Sequence, residues 1–289
     1  MLIRCWNRFF FQTIDVRQVA LLRISLGGLI FLYLIGFMPI FADHFGPDGW
    51  LGTMRDLDLY HAGSWSVLFL TDSRSQAWVF FGISLFGAAA FTLGVRTRIT
   101  GFIALIGLIS LWNRNPLLMD GDDAILRVML FYLLLSPCGN ALSIDASLHH
   151  RRRQVEIWPL RMIQMQLALV YFISGWVKFH SPEWLNGTIL QTVLIHPEYS
   201  RWNFNGLMNQ PYFLKGLQVA AFIILWWEIL FPVLILFRTT RIVAIATGLI
   251  FHGALLIFMH LRLFSVIMLI LYIAWMPAHF FRDSAASRI

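Results

Sequence analysis

YFISGWVKFHSPEWLNG, residues 171–187, is the stretch in which a long apolar helix ends with a lysine. That lysine, Lys178, is one of two in the chain, with Lys215, among 22 basic side chains. At helical spacing the face that carries it holds small or polar residues, namely Gly175, Tyr171, Ala168, Gln164 and Arg161. Because polar groups at membrane depth must face protein or water, this face predicts a contact or a site inside the protein.

Three interpretations of Lys178 fit this stretch. The lysine can snorkel from a helix end to the membrane surface, it can belong to a structural polar seam between helices, or it can act as a base at the mouth of a pocket in the membrane. Glu228 bears on the choice, because it is the only acid within the core of a predicted span. A lone carboxylate there is costly, so we expect either a structural pairing with an arginine or histidine or a proton-handling role.

The composition is that of a membrane protein that crosses the bilayer several times. Of the 289 residues, 58% are hydrophobic and 13% are charged, and the mean hydropathy is +0.70, which excludes a soluble globule. The net charge of +7 is spread over short connections, as membrane topology requires, so nucleic acid is not an expected partner. No cleavable signal peptide is expected, nor a disulfide framework from Cys5 and Cys138.

The hydrophobic pattern predicts an all-α fold with about eight transmembrane helices in a single domain, residues 1–289. Residues 1–15 are basic and aromatic, which predicts an interfacial helix that lies on the membrane. The long loop 181–215 holds one amphipathic piece, residues 183–195. The predicted spans are residues 16–41, 75–95, 99–112, 124–138, 158–179, 212–237, 241–259 and 263–281.

The arginines favour a cytoplasmic location for both termini. An even number of spans puts the two termini on one side, and most basic residues then fall in the connections of that side. We therefore expect a multi-pass protein of the cell inner (plasma) membrane with its active face outward. In this topology the unusual motifs meet on the outer side: Asp48–Trp50, Trp112–Asn115, Asp120–Asp123, Lys178–Gly187 and His260–Arg262.

No metal site is expected. His149 and His150 are adjacent, so a helix does not place them on one face, and three arginines that would repel a cation follow them. The acids of Asp120–Asp123 lack the ligand spacing of a calcium loop. We interpret them as a solvated turn that leads into the fourth predicted span.

Several motifs, in order along the chain, carry a family resemblance. The most specific is VYFISGWVK, residues Val170–Lys178, and the others are Trp112–Asn115, Ser136–Asp145, Glu228–Pro232, Phe251–His252 and Leu263–Ser265. Together they resemble the HTTM domain, the membrane domain of vitamin K-dependent γ-glutamyl carboxylases and of many smaller bacterial proteins. Lys178 takes the position of the carboxylase lysine proposed to deprotonate vitamin K hydroquinone, and His252 is similar to a second carboxylase histidine.

The resemblance implies a reduced naphthoquinone, vitamin K or menaquinol, as cofactor, and no metal. In the carboxylases a lysine takes a proton from the quinol, oxygen adds, the resulting base removes the γ-proton of a peptide glutamate, CO₂ is captured and the quinone leaves as its epoxide. Carried over, Lys178 and His252 would be catalytic, and the partners would be the lipid bilayer, a lipid-soluble quinol and a secreted peptide. The residues that would bind the quinol are Tyr171, Gln164, Asn113, Asn115 and Trp184.

Two functions therefore fit the sequence. The first is a carboxylase-like enzyme that uses the quinol, O₂ and CO₂ to modify an outer-side peptide. The second is a non-catalytic membrane factor for maturation or export of a secreted peptide. The second fits two departures: the carboxylases read Trp-Asn-Asn-His where this chain reads Trp112-Asn-Arg-Asn115, and the resemblance is to the small form without the lumenal domain. Asparagine can hydrogen-bond but cannot take a proton. A transporter is less well supported, since no inverted repeat is visible.

Overall fold

The computed structural model describes residues 2–50, 65–149 and 152–281. Outside these ranges lie Met1, residues 51–64 of the predicted first outer loop, His150 and Arg151 of the basic stretch, and residues 282–289. The described residues are mostly helical. Their α-helices are α1 Leu2–Phe10, α2 Arg17–Phe37, α3 Phe41–Phe45, α4 Arg74–Leu93, α5 Thr97–Arg114, α6 Gly121–Leu135, α7 Ile144–Leu148, α8 Trp158–Phe179, α9 Pro182–Leu185, α10 Ile189–Ile195, α11 Pro211–Leu234, α12 Arg238–Phe258 and α13 Phe264–Leu271.

Five helical segments among the described residues are long and apolar enough to cross a membrane, which confirms the prediction of a helical membrane protein. One of them is α2 together with the following turn and α3, Arg17–Phe45. The other four are the single helices α4, α8, α11 and α12. Their ends agree with the predicted spans to within a few residues, and α8 coincides with the predicted span 158–179. The total of about eight spans and the cytoplasmic location of the termini remain predictions.

The last predicted span, 263–281, is wrong as a continuous helix. α13 ends at Leu271, and tighter 3₁₀ turns cover Tyr272–Trp275 and Ala278–Phe281. Pro277 lies between the two turns. Proline has no N–H and disfavours helical backbone at the preceding residue, so an α-helix cannot run through this point.

A small antiparallel sheet ties the N-terminal segment to the start of α8. The predicted interfacial helix 1–15 ends at Phe10, and β1, Thr13–Asp15, pairs with β2, Gln154–Glu156. Strands of three residues are too short for an alternating pattern to show in the sequence. This pairing of distant segments was therefore not predictable from hydrophobic periodicity.

The loop between α8 and α11 contains α9 and α10 in place of the single amphipathic piece predicted at 183–195. Gly187 separates them with a φ of 72°, a left-handed conformation that glycine adopts without steric cost. The amide of Gln218, on α11, donates to the carbonyl oxygen of Asn186 at 3.1 Å. This hydrogen bond, made where the two short helices meet, thus holds the loop against α11.

The chain divides into two compact units, one of residues up to Ile163 and from Ile273 on, the other of Gln164–Tyr272. In the first unit α4 packs against α2 and α5, and α5 packs against α6. Small residues allow these contacts, as is usual between membrane helices: a Cβ on Gly27 would lie 2.7 Å from the Thr92 hydroxyl. The single domain over residues 1–289 remains a prediction.

Arg23, on α2, is a fully buried charge in the first unit. Its guanidinium donates to the carbonyl oxygens of Cys138, at 3.2 Å, and Leu142. These two carbonyls belong to the connection between α6 and α7, so the buried arginine fixes that connection against α2. Cys138 is a buried free thiol, and burial raises its pKa.

The second unit comprises most of α8 together with α9 to α13. α11 packs against α9, α10 and α12, and α12 packs against α13. α11 also carries Pro232 inside the helix, a residue that membrane helices tolerate. This unit holds both lysines and the only predicted intramembrane acid.

Candidate functional site

The polar face of α8 is turned inward, as its spacing predicts. Gly175, Tyr171 and Gln164 are buried, and Lys178, Ala168 and Arg161 are half-buried. The opposite face is apolar and exposed, with Ile173 51%, Trp176 52% and Val177 65% exposed. α8 therefore presents one apolar face outward, where lipid would lie, and one polar face to the protein.

Lys178 forms an ion pair with Glu228 on α11. Its Nζ lies 2.6 Å from Oε1 and 2.5 Å from Oε2, and it also donates to the Ser174 hydroxyl at 2.9 Å. The Glu228 side chain is 3% exposed and that of Lys178 19%. The expected pairing of Glu228 is confirmed, but the expected partner, an arginine or histidine, is wrong. Because the ammonium points to a buried carboxylate, Lys178 does not snorkel.

The pair is tolerable at this depth because it is neutral as a whole. Burying either charge alone costs several kcal/mol, and a hydrogen-bonded partner of opposite sign offsets much of that penalty. A proton can move across the short contact from Lys178 Nζ to Glu228 without changing the net charge. The pair can therefore hold either two charges or a neutral amine beside a neutral acid, and only the neutral amine is a base.

Gly175 allows α8 to approach α11 closely enough for this contact. A Cβ at Gly175 would lie 2.7 Å from the Ile229 backbone nitrogen and 3.0 Å from Glu228 Cβ. One of these atoms is backbone, so no side-chain rotation can make room. The glycine of the ISGWVK motif thus brings the two helices into contact next to the ion pair.

A hydrogen-bonded chain of three buried side chains lies on the same face of α8. The Tyr171 hydroxyl is 2.7 Å from His252 Nε2 on α12 and 2.5 Å from the hydroxyl of Tyr272, which follows α13. All three side chains are at most 5% exposed. Tyr171 therefore joins three helical segments through one hydroxyl group.

The chain of hydrogen bonds stops at His252. Its Nδ1 is buried and has no hydrogen-bond partner among the described residues. A neutral imidazole has one donor and one acceptor nitrogen, so Nδ1 can take either role, depending on which way the Tyr171 hydroxyl donates. An unsatisfied buried nitrogen of this kind is the type of atom that a ligand hydroxyl or carbonyl satisfies.

Aromatic packing links these hydrogen-bonded side chains to the ion pair. The Tyr171 ring lies 4.8 Å from that of Trp227 and 4.3 Å from that of Phe231, both on α11. Glu228 is the residue after Trp227, and Lys178 lies two turns along α8 from Tyr171. The ion pair and the tyrosine–histidine pair therefore belong to one seam between α8, α11 and α12.

Trp184, on α9, lies beside Lys178. Lys178 Nζ is 5.0 Å from the centre of the Trp184 ring, a distance at which a cation and an aromatic face attract each other. The ring is half-buried. Trp184 thus covers the end of the seam at which α8 stops.

The remaining predicted quinol contacts divide between the two units. Gln164 is buried in the second unit, on the polar face of α8. Asn113 and Asn115 belong to the first unit, where their amides donate to the carbonyl oxygens of Trp65, at 2.6 Å, and His44, at 3.1 Å. A quinol contact by these three residues remains a prediction from the resemblance.

Sequence reasoning missed several residues of the seam. Ser174 and Tyr272 bond directly to predicted site residues, and Trp227 and Phe231 form its aromatic wall. A signal for Phe231 existed in its spacing, three residues after Glu228 on the same helix face. Tyr272 had no such signal, because it lies in a 3₁₀ turn far from Tyr171 in sequence.

The hydroxyl of Tyr171 is expected to stabilise the second unit. Tyr171→Phe removes both hydrogen bonds and leaves His252 Nε2 unsatisfied, so we expect the free energy of unfolding in mixed micelles to fall by about 1–2 kcal/mol. Tyr212→Phe is the matched control, because Tyr212 is 93% exposed. Equal losses for the two variants would contradict the buried hydrogen-bond chain.

Apolar helices that enclose a lysine–glutamate pair and a tyrosine–histidine pair define a helical membrane protein with a polar site inside it. The model of the HTTM domain family matches residues 66–280, and the chain belongs to this family. No solved structure matches the chain.

Proposed function

We propose that this chain is a vitamin K-dependent carboxylase-like enzyme of the inner (plasma) membrane. It uses a reduced naphthoquinone, O₂ and CO₂ to modify a peptide on the outer side, and Lys178 and His252 are its catalytic residues. The observation that carries the proposal is the contact of Lys178 with Glu228, which holds an amine against a proton acceptor within a membrane helix bundle.

The role of Lys178 is that of a base, which requires an uncharged amine. Glu228 supports this role, because a carboxylate 2.5 Å from Nζ can take the proton of the ammonium and leave a neutral amine. Ser174 and the Trp184 ring hold the nitrogen in place in either state. The apolar surroundings keep bulk water away from the transfer.

A reduced quinone, when bound, would supply with oxygen the strong base that the carboxylation needs. Two features of the seam fit such a ligand. The rings of Tyr171, Trp227 and Phe231 form an aromatic wall of the kind that packs against flat rings, and His252 Nδ1 offers an unsatisfied polar atom to a hydroxyl. Gln164 and Trp184 are the further residues of this unit that we expect to hold the quinol.

The role of His252 is to hold or move a proton at Nδ1. Its other nitrogen contacts the Tyr171 hydroxyl, which in turn contacts Tyr272. Reversing the direction of donation along these hydroxyls changes which imidazole nitrogen carries the proton. The two tyrosines therefore let His252 accept a proton on one side while it releases one on the other.

A non-catalytic membrane factor for maturation or export of a secreted peptide is the second candidate. The observation that favours it is the position of Asn115, which occupies the place of a carboxylase histidine. Its side chain is 3% exposed and its amide donates to the His44 carbonyl, and an asparagine cannot take a proton in the place of that histidine. Under this alternative the buried ion pair only stabilises the fold.

Quinone epoxide formation separates the two functions. Purified protein in lipid is given reduced vitamin K or menaquinol, O₂, CO₂ and a glutamate-containing peptide. The test variant is Lys178→Met with Glu228→Gln, which removes both charges together and leaves neither one buried alone. Lys215→Met is the matched control, because Lys215 is the other lysine, is exposed and donates to Gln218, one turn further along α11.

We expect epoxide from the wild type and from Lys215→Met, and a loss of about 100-fold or more in the double variant, the usual contribution of a general base. The variant must retain the wild-type unfolding transition for the comparison to count. Absence of epoxide from folded wild-type protein would favour the non-catalytic factor, and full activity in the double variant would remove Lys178 from the mechanism.

A further inference from the structure

A cavity of about 690 Å³ opens in the first unit, and its lining includes none of the residues of the seam described above. It lies where the turn between α4 and α5 meets the connection between α6 and α7. The polar part of its lining comes from Arg96, Thr97, Arg98, Ser136, Asn140 and Asp145. This connection contains the SPCGNALSID motif, which the proposed function does not use.

The charged side chains of the cavity lining, two arginines and one aspartate, leave a net positive charge. The side chains of Arg96 and Arg98 are exposed and make no hydrogen bond or ion pair with a described residue. The one acid of the lining, Asp145, accepts from the backbone nitrogens of Arg96, at 2.9 Å, and Thr97, at 3.1 Å, so two arginines face a single carboxylate. The two guanidinium groups are thus available to an anion.

Buried hydrogen bonds and constrained backbone conformations fix the segments that form the cavity. Buried Arg23 holds the connection through the carbonyl oxygens of Cys138 and Leu142. Arg96 and Leu142 have φ values of 42° and 48° and are the non-glycine residues with positive φ among the described ones. This conformation costs free energy for a residue with a side chain, and it persists only where the surrounding structure fixes it. Such residues cluster at binding sites.

The position and the apolar lining indicate which anion fits. α4 is a candidate membrane span that ends at Leu93, so a bilayer that α4 crosses would place the turn before α5 at the level of the lipid headgroups. Ile99, one turn into α5, lines the cavity and is 58% exposed, and Phe102 beyond it is 51% exposed. An acyl chain can lie along this surface while its phosphate meets the arginines.

We propose that this cavity binds the phosphate group of an anionic phospholipid through Arg96 and Arg98. Guanidinium groups suit phosphate oxygens because their planar donors bond in pairs. Asn140 adds a side-chain amide to the same lining. The site is independent of the proposed enzyme activity, since it uses none of the residues of the α8 seam.

Binding of phosphatidylglycerol to the purified protein, followed by native mass spectrometry, tests the site. We expect Arg96→Gln with Arg98→Gln to weaken binding by roughly 30-fold, the combined effect of two basic residues near a charged lipid. Arg8→Gln with Arg238→Gln is the matched control, since both arginines are exposed and lie outside the cavity. We expect the control to bind like the wild type.

Asp145→Asn provides a test in the opposite direction. The asparagine keeps an oxygen that can accept from the Arg96 nitrogen, although its amide nitrogen cannot accept from Thr97. Because it removes the only negative charge of the lining, we expect tighter binding in a variant that keeps the wild-type unfolding transition. An equal loss of phosphatidylglycerol binding in the Arg96→Gln, Arg98→Gln variant and in the control would overturn the site, because it would attribute the binding to general surface charge. Equal binding of phosphatidylcholine would overturn its preference for anionic lipid. Displacement of the lipid by millimolar inorganic phosphate would show that a free phosphate is the ligand instead.

Discussion

Glu228→Ala is expected to lower the free energy of unfolding by about 3–5 kcal/mol, because it leaves the Lys178 ammonium without its buried counter-charge. The remaining contacts of Nζ, the Ser174 hydroxyl and the Trp184 ring, carry no negative charge and cannot replace the carboxylate. Unfolding in mixed micelles, followed by tryptophan fluorescence, measures the change.

Removal of both charges is expected to restore most of that loss. Lys178→Met with Glu228→Leu replaces the pair by apolar side chains, a change that is often neutral or stabilising at buried sites. A double variant as unstable as Glu228→Ala would show that the cost comes from lost packing and not from the unpaired charge. Glu183→Ala is a suitable control, because Glu183 is an exposed acid of the same unit.

Gly175→Val is expected to cost about 3 kcal/mol, at the upper end of the usual range for overpacking. The reason is the contact that a Cβ would make with the Ile229 backbone nitrogen at 2.7 Å, which only a separation of α8 from α11 can relieve. The same separation would lengthen the contact between Lys178 and Glu228. We therefore expect the variant to lose epoxide formation together with stability.

Gly253→Val is the matched control for this substitution. Gly253 lies within α12, and apart from its chain neighbours and the adjacent backbone of that helix no described heavy atom lies within 4 Å of a Cβ built on it. We expect its free energy of unfolding to stay within about 0.5 kcal/mol of the wild type, as for a substitution at an open helix position. Similar losses at both glycines would mean that helix propensity, and not the approach of α8 to α11, sets the cost.

The polar seam could be predicted in part from the sequence because it obeys helix periodicity. Lys178, Gly175 and Tyr171 recur at helical spacing among apolar residues, and their common face is the buried face of α8. Periodicity also located the five long helices. It describes one helix at a time, however, and so it identified the faces but not their partners.

The partners depend on tertiary packing, which the spacing of residues does not contain. Glu228 was expected to pair with an arginine or histidine, and its partner Lys178 is set by the contact of α8 with α11 at Gly175. The bond of Tyr171 to Tyr272 depends on a 3₁₀ turn that the proline nearby imposes on an apolar stretch. The sheet of β1 and β2 joins two three-residue segments that are far apart in the chain, and no pattern in either sequence predicts this pairing.

Pro232 follows Glu228 by four residues on α11. A helical N–H at that position would donate to the Glu228 carbonyl oxygen. Because proline has no N–H, the backbone hydrogen bond to Glu228 is missing. The turn that begins at Glu228 is therefore held by one backbone hydrogen bond fewer than a regular helical turn, which favours bending at this point. Bending at this turn would let the carboxylate shift relative to Lys178 as the proton changes place, and the helix that carries the acid is weakest at the residue that must move.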